Sequence, residues 1–562
     1  MGNSSTTNLS KKSKPLPIDS MFTLPSALPS LPSGDGFASG RIDLGGIQVC
    51  QISTFNKVWV TREGGPGNAG ATFFEPSPIP EGFHMLGCYS QPNNKQLFGW
   101  ALAAKDDDGG ESGTALSKPV DYSLVWSSES VKIKQDNKGY VWLPTPPDGY
   151  KATGVVVTDS PQKPPLEKVR CVRADLTEPC ESESWIWGQG KEINANGFNV
   201  YSLRPTNRGT QALGVAVGTF TAQIGGTSAL PPSIGCLKNT KNSNELYSSM
   251  PNLPQIQAVF NAYSPIVYFH PDEKYLPSSV TWYFTNGTLL YKRGEESQPV
   301  AVDPTGSNLP QGGANDGEYW IDLPKDEKER ERVKRGDLGS AQVYLHAKPV
   351  FGSTFSDIAV WIFYPFNGPG RAKVGLINVG LGRIGEHIGD WEHMTLRISN
   401  FTGELWKLYL SEHSKGLWLD ASELEYADNS GGSGKRPVAY SSLSGHAMYG
   451  KPGLVLQGNG VIGIRNDTAK SNFVFATGSN FEVVAAEYLA VVEPPWVNYL
   501  RKWGPKIDYD RKEEVKKVEK LLPGRLKKTF EKFIDDLPDE IFGEDGPTGP
   551  KLKASWNGDE AA

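Results

Sequence analysis

Apolar and polar residues alternate along much of this chain, most clearly in the stretch that follows His387. Met394, Leu396 and Ile398 fall on one side and Thr395, Arg397 and Ser399 on the other, the period of a half-buried strand. Counting back at the same period puts Asp390 and Glu392 on the apolar side, with His387 just before them on a turn flanked by Gly385 and Gly389. Asp357 to Tyr364 reads as a central strand stopped by Pro365, and Gln342 to Lys348, Leu405 to Leu410 and parts of Val461 to Tyr488 supply further strands. Ala262 to Pro271 and Ser279 to Phe284 are also strand-like, Lys325 to Arg335 is a charged run that is helical or solvated, and Ser441 to Gly453 is a loop. Beyond about residue 494 the period changes to that of a helix, with Val515, Val518, Leu521 and Leu522 before Pro523-Gly524 and Leu526, Phe530, Phe533, Ile534 and Leu537 after it.

The first part of the chain repeats itself. Phe55-Asn56-Lys57-Val58-Trp59 is followed by Phe73-Phe74-Glu75-Pro76, Pro80-Glu81-Gly82-Phe83 and Gly87; Leu124-Val125-Trp126 is followed by Val141-Trp142-Leu143-Pro144, Pro147-Asp148-Gly149-Tyr150 and Gly154. Trp59 to Gly82 and Trp126 to Gly149 have the same spacing. A third copy runs from Trp185-Ile186-Trp187 through Tyr201 to Pro205 to Gly209 and Gly214, one residue shorter. The expected organisation is a leader over 1–40, a repeated β domain over 41–225, a linker over 226–254, a second β domain over 255–493, a helical tail over 494–543 and a flexible end over 544–562. The predicted fold class is mainly β: repeated β modules of sandwich or prism-like form, then a β-sandwich domain with a C-terminal helical tail.

Composition adds little tension to this reading. Counting Gly and leaving out Tyr, roughly 45% of the 562 residues are apolar, as in ordinary globular domains. A net charge of −6 and the lack of a nucleic-acid motif argue against nucleic acid as a partner. Cys50, Cys88, Cys171, Cys180 and Cys236 are few, odd in number and without metal spacing, which fits reduced thiols and a cytoplasmic protein. Met1-Gly2-Asn3-Ser4-Ser5-Thr6 matches the pattern for acylation of Gly2, and Lys11, Lys12 and Lys14 follow it, so reversible membrane attachment through N-myristoylation is expected.

The candidate chemistry lies at His387, Asp390 and Glu392. Two carboxylates on a buried face are costly unless a cation or dense hydrogen bonding compensates them, and H-x-x-D-x-E mixes one imidazole with hard oxygen donors. A divalent cation, Ca²⁺ or Mg²⁺ favoured, is one reading, with His446 on its Gly-rich loop as the distant fourth ligand. Backbone amides or a basic side chain holding the two acids without a metal is the other. His393 points to the opposite face and His270, beside Pro271, is the weaker candidate.

The stretches GDGFASGRIDLGGIQVCQISTFNKVW, FFEPSPIPEGF, VWLPTPPDGY and HIGDWEHMTLRI resemble the plant vacuolar protein sorting-associated protein 62 family, also called the domain-of-unknown-function 946 family, over nearly the whole chain. The repeated W…P-x-G-[FY] units are similar to the adaptor-binding repeats of bridge-like lipid-transfer proteins, which implies recognition of a short Pro-containing peptide of a partner protein. The stretch around His387 is similar to the G-H-R-H-D-W-E heptapeptide of the necrosis- and ethylene-inducing-like toxins, β-sandwich proteins that hold a divalent cation and bind sphingolipid head groups. That resemblance implies a cation or lipid-head-group site at His387, Asp390 and Glu392. Ile388 and Gly389 depart from it, as does the lack of an acid near Val379, so toxin activity is not implied. The expected function is a non-enzymatic, peripherally membrane-associated protein of vacuolar or endomembrane trafficking. The alternative is a metal-dependent hydrolase with Glu392 or His446 as general base.

Overall fold

The computed structural model describes residues 15–560, except 108–113, 189–196, 226–229, 244, 413–414, 429–433, 459–460, 508 and 538–545. It is mainly β, in two units. The first takes the described part of Met1–Thr23, with Arg41–Asn207 and Gly214–Thr240; the second takes Leu24–Gly40, Arg208–Leu213 and Lys241–Ala562.

In the first unit each repeat becomes a three-stranded antiparallel set: Phe55–Thr61, Ala71–Pro76 and Tyr89–Pro92; Asp121–Ser127, Tyr140–Thr145 and Val156–Thr158; Cys180–Gly188, Asn199–Pro205 and Phe220–Gln223. Trp59, Trp126 and Trp187 come from the first strand of each set and meet in one aromatic core, with ring centroids 5.7, 5.4 and 5.5 Å apart. Gly82 and Gly149 adopt φ of +79° and +80° in their turns, which a side chain would resist. Gly87 and Gly154 pack closely, and a Cβ on either would press on Thr219. The third repeat therefore contributes Thr219 to this contact, five residues past the Gly214 that sequence spacing points to.

Three boundaries differ from the sequence reading. Residues 15–40 are ordered by packing: Ile18 and Phe37 are buried, and the amides of Ala38 and Gly40 donate to the carbonyls of Asn400 and Phe401. Within 226–254, Cys236–Lys238 is a strand paired with Thr177–Glu178 and Gly214–Val215, and Leu253 already opens a helix that runs to Tyr263. Ser279 to Phe284 is not extended: the Ser279 hydroxyl accepts from the Trp282 amide at 3.0 Å and caps a short helix, Val280–Thr285. That N-cap outweighs the β-branched and aromatic propensity of the segment.

The second unit is built on a six-stranded sheet. Its strands in chain order are β1 (Val343–Val350), β2 (Phe355–Asn367), β5 (His387–Ser399), β6 (Leu405–Glu412), β7 (Lys415–Asp420) and β10 (Phe481–Ala485), arranged β7-β6-β5-β2-β1-β10. Between them fall the strands of a four-stranded antiparallel sheet, β3 (Arg371–Val374), β4 (Ile377–Gly380), β8 (Gly453–Gly458) and β9 (Ile462–Thr468), ordered β4-β3-β9-β8. Helices α1 (Arg511–Glu519) and α2 (Gly524–Asp535) and the turn between them bury Val518, Leu522, Phe530 and Ile534 against Ala372, Val374, Ile462 and Ile464 of this smaller sheet.

Both faces of β5 are buried. Met394, Leu396 and Ile398 are fully inside on one face, and the polar residues of the other are covered by the chain's last described segment. There Glu560 contacts His393 at 2.9 Å and Thr395 at 2.6 Å and lies 3.5 Å from Lys348, while Asp559 meets Arg397 at 3.2 Å. Arg397 also grips Asp357 through two 2.8 Å hydrogen bonds, and Trp556 stacks on His346 with centroids 3.9 Å apart. The segment expected to be flexible over 544–562 is thus packed from residue 546 to Glu560, because it supplies the countercharges that a buried Lys348 and Arg397 need.

Candidate functional site

The polar end of β5 faces a cavity of about 100 Å³ within the second unit. Strand pairing sets Tyr364 of β2 opposite Asp390 and Ile362 opposite Glu392, so both acids project from β5 on the face that carries Met394 further along. His387, Asp390 and Glu392 line the cavity, together with Arg371 of β3 and Arg465 of β9. Gly389 sits at φ +68° between His387 and the two acids, where a Cβ would lie 2.7 Å from the Trp503 carbonyl, and Ile388 is buried in the aromatic core. These two departures from the heptapeptide are structural: one makes a sharp backbone bend and the other a core contact.

His446 arrives on the loop after strand Lys435–Ser441. Its φ is +57° and that of Ser444 is +69°, a strained conformation for side chains, which surrounding contacts maintain. The Ser444 amide donates to Glu273 Oε2 at 2.7 Å and its carbonyl accepts from Gly368 at 2.9 Å. The His446 ring then stacks on Tyr364, centroids 3.9 Å apart and planes 7° from parallel. Its Nδ1 lies 3.0 Å from Asp390 Oδ2 and its Nε2 3.0 Å from the Tyr275 carbonyl, with Glu273 Oε1 at 4.0 Å from Nε2.

The Tyr275 carbonyl can only accept, so Nε2 carries a proton; Asp390 takes the other. Burial alone would push the His446 imidazole down, but the Asp390 hydrogen bond and the charges of Glu273, Asp390 and Glu392 outweigh it and hold its pKa above the ordinary value. Asp390 is held below the ordinary carboxylate value, burial being overcome by His446 and His387. Glu392 is pushed up to about 8 by burial and by Asp390, against the opposing hydrogen bond from Ser411 at 2.7 Å. Burial lowers the His387 imidazole, against the opposing pull of Asp390; its Nδ1 donates to the Gly389 carbonyl at 2.8 Å.

The structure therefore brings His387, Asp390, Glu392 and His446 together, and makes His446 the charge partner of Asp390. Both of its ring nitrogens are engaged, leaving no lone pair for a metal. Among the described residues no group of three or more His, Cys, Asp or Glu side chains is disposed to hold a metal ion. His393 lies on the opposite face of β5, stacked on Trp361 and bonded to Glu560, and His270 accepts from the Asp272 amide at 3.1 Å away from the cavity lining. Gly2 lies outside the described residues. Glu273, Tyr364, Arg371 and Arg465 belong to the site without a sequence signal beyond their polarity, because each is placed by a different strand or turn. Among the described residues no helix is long and apolar enough to cross a membrane.

The sequence profile described as vacuolar protein sorting-associated protein 62 matches residues 18–560. The chain belongs to this family. A Saccharomyces cerevisiae relative, TDA6, described provisionally as a vacuolar protein sorting-associated protein, is 24% identical over 267 residues, covering 40% of this chain and 52% of the relative. The chain thus spans about half the length of that relative. Among solved structures, GNIP1Aa from Chromobacterium piscinae is similar over 38% of this chain and 40% of its own, with 19% identity and a TM-score of 0.27. NLPPya in complex with glucosamine is similar over 34% of this chain and 67% of its own, with 16% identity and a TM-score of 0.20. Membership of the vacuolar protein sorting-associated protein 62 family rests on the family match and not on the structural neighbours.

Proposed function

We propose that this protein is a non-enzymatic, peripherally membrane-associated component of vacuolar sorting that takes a cation, or the polar head group of a lipid, in the cavity around Glu392. The observation that carries this reading is the pairing of Glu392, pushed up to about 8, with the depressed Asp390 at the cavity wall. A positive or hydrogen-bond-donating ligand entering there relieves the repulsion that keeps Glu392 protonated. Arg371, Arg465 and Asn367 line the same space, so a head group bearing both donors and acceptors would be matched. His446 is assigned to orienting Asp390; with no three such side chains among the described residues disposed around one point, His387, Asp390 and Glu392 would act as separate contacts to a head group or to a hydrated Ca²⁺ or Mg²⁺ ion, not as one closed ligand set.

The first unit is assigned to a protein partner. Asp121–Ser127 is paired along one side with Tyr140–Thr145, and Val120 and Leu124 beside it are 61% and 50% exposed, which suits addition of a short Pro-containing peptide at the sheet edge. Acylation of Gly2 would add reversible membrane attachment, and intact mass of protein from a eukaryotic host tests it: an unmodified Gly2 rejects it.

Calorimetric titration of the full chain with Ca²⁺, Mg²⁺ and dispersed head-group analogues tests the cavity. Heat on binding that Glu392→Gln abolishes, with release of a proton below about pH 8, supports the reading; silence toward all three rejects it. The hydrolase alternative rests on the same split between a protonated Glu392 and an ionised Asp390, the arrangement of an acid and base pair. Turnover of an ester or phosphodiester substrate, lost in Glu392→Gln, would favour it.

A further inference from the structure

The hairpin of β3 and β4 ends in a residue with no cover at all. Leu376 is 98% exposed at its tip, and the amide of the preceding Gly375 donates to the Val461 carbonyl at 2.7 Å, which brings the 56%-exposed Val461 alongside. A Cβ on Gly375 would lie 3.5 Å from a Leu526 methyl, so the first turn of α2 backs the same tip. Leu526 is flanked by Arg525, Lys527 and Lys528, and among the described residues none of these three has an ion-pair partner. From Lys520 to Lys532 the chain carries five basic residues against one acidic residue, Glu531, although the whole protein is net negative at −6. A local positive field beside a protruding leucine, on an otherwise acidic protein, matches an anionic surface with an apolar layer beneath it.

We propose that the β3–β4 hairpin tip, with the first turn of α2, is a docking surface for an anionic lipid bilayer: Leu376 and Val461 enter the acyl boundary and Arg525, Lys527 and Lys528 meet the phosphates. The neighbouring helix is itself no membrane element, because its apolar stripe is spent on Phe530 and Ile534 under the smaller sheet. What inserts is the turn. Arg371, at the other end of β3, lines the cavity around Glu392, and at about 3.3 Å of rise per residue the tip and the cavity stand roughly 15 Å apart along one strand. Docking by the tip would thus hold the cavity within roughly 15 Å of the acyl boundary, just outside the head groups, which extends the function proposed above, although the docking itself does not depend on what fills the cavity.

The test is flotation of the full chain, made in bacteria so that Gly2 is unacylated, with phosphatidylcholine vesicles with and without phosphatidylserine. The expected result is flotation with the phosphatidylserine vesicles that falls about fivefold or more in Leu376→Asp and in the Arg525→Glu, Lys528→Glu double variant, and that weakens as salt rises. Because these side chains are exposed, unchanged circular dichroism and melting temperature show that folding is not the cause. Calorimetry on the wild type separates the two readings: flotation with no heat toward any cavity ligand rejects the cavity reading alone, and ligand heat without flotation rejects this one. Equal flotation by wild type and Leu376→Asp, or no preference for phosphatidylserine, overturns the proposal, as does capture of the tip by a soluble protein that leaves vesicles untouched.

Discussion

His446 Nδ1 stands 3.0 Å from Asp390 Oδ2, joining residues 56 apart in the sequence, both of them buried. The raised pKa of His446 means that its contribution is fully present below the ordinary imidazole value and is lost as pH rises through the folded value. The depressed pKa of Asp390 gives the opposite limb: its contribution is present above the ordinary carboxylate value and is lost as pH falls through the folded one. The pair is therefore strongest at intermediate pH. His446→Gln or Asp390→Asn leaves one buried charge uncompensated and should cost about 3 kcal/mol in urea denaturation near neutrality, while the double variant should cost less than the sum.

Glu392 behaves in reverse. A carboxyl raised to about 8 keeps its proton in the folded state where the unfolded chain has lost it, so stability should fall as pH rises from the ordinary glutamate value toward 8. Glu392→Gln removes that dependence. Between pH 5.5 and 8.5 the variant should lose less stability than the wild type, the rest of its loss being that of His446, and it should be the more stable protein at the higher pH by on the order of 2 kcal/mol.

The last described residues should behave as part of the core. Trp556→Ala should destabilise by about 3 to 5 kcal/mol. Glu560→Gln, which strips the partner from a Lys348 that is 1% exposed, should cost about 3 kcal/mol by the same measurement. Glu560 is held well below the usual carboxylate range, burial being outweighed by His393, Lys348 and Thr395, so its contribution persists through mild acid and is lost only in strong acid.

The three tryptophans of the first unit should be coupled. Trp59→Ala or Trp187→Ala, each opening the shared core, should cost about 3 to 5 kcal/mol in the unfolding transition of that unit. Pairs of such changes should be non-additive by roughly 0.5 kcal/mol or more, because each ring contacts both others. Strict additivity would contradict a single aromatic core.

Much of this architecture is written in local pattern. The period-two alternation marks β5, the repeat spacing marks the three modules of the first unit, the third one residue shorter, and the helical stripe from Val515 to Ile534 marks α1 and α2, because each is a property of neighbours in sequence. The misreadings are equally local in cause. Gly/Pro-rich composition suggested a loose C-terminus, but whether such a segment packs depends on what it meets, and Glu560 meets Lys348 and His393. Ser279 hid a helix because one cap outweighed several side-chain propensities.

For the site, sequence alone determined which side chains β5 carries: His387, Asp390 and Glu392 in a fixed spacing, and the two acids on one face. Only the tertiary structure decided their chemical states. Asp390 is held low because a strained loop sets His446 against it, Glu392 is pushed up because it is buried beside Asp390, and the C-terminal segment covers the opposite face because its charges complete the one beneath. Charge state depends on distance and burial across separate strands, and neither quantity exists until the chain has folded.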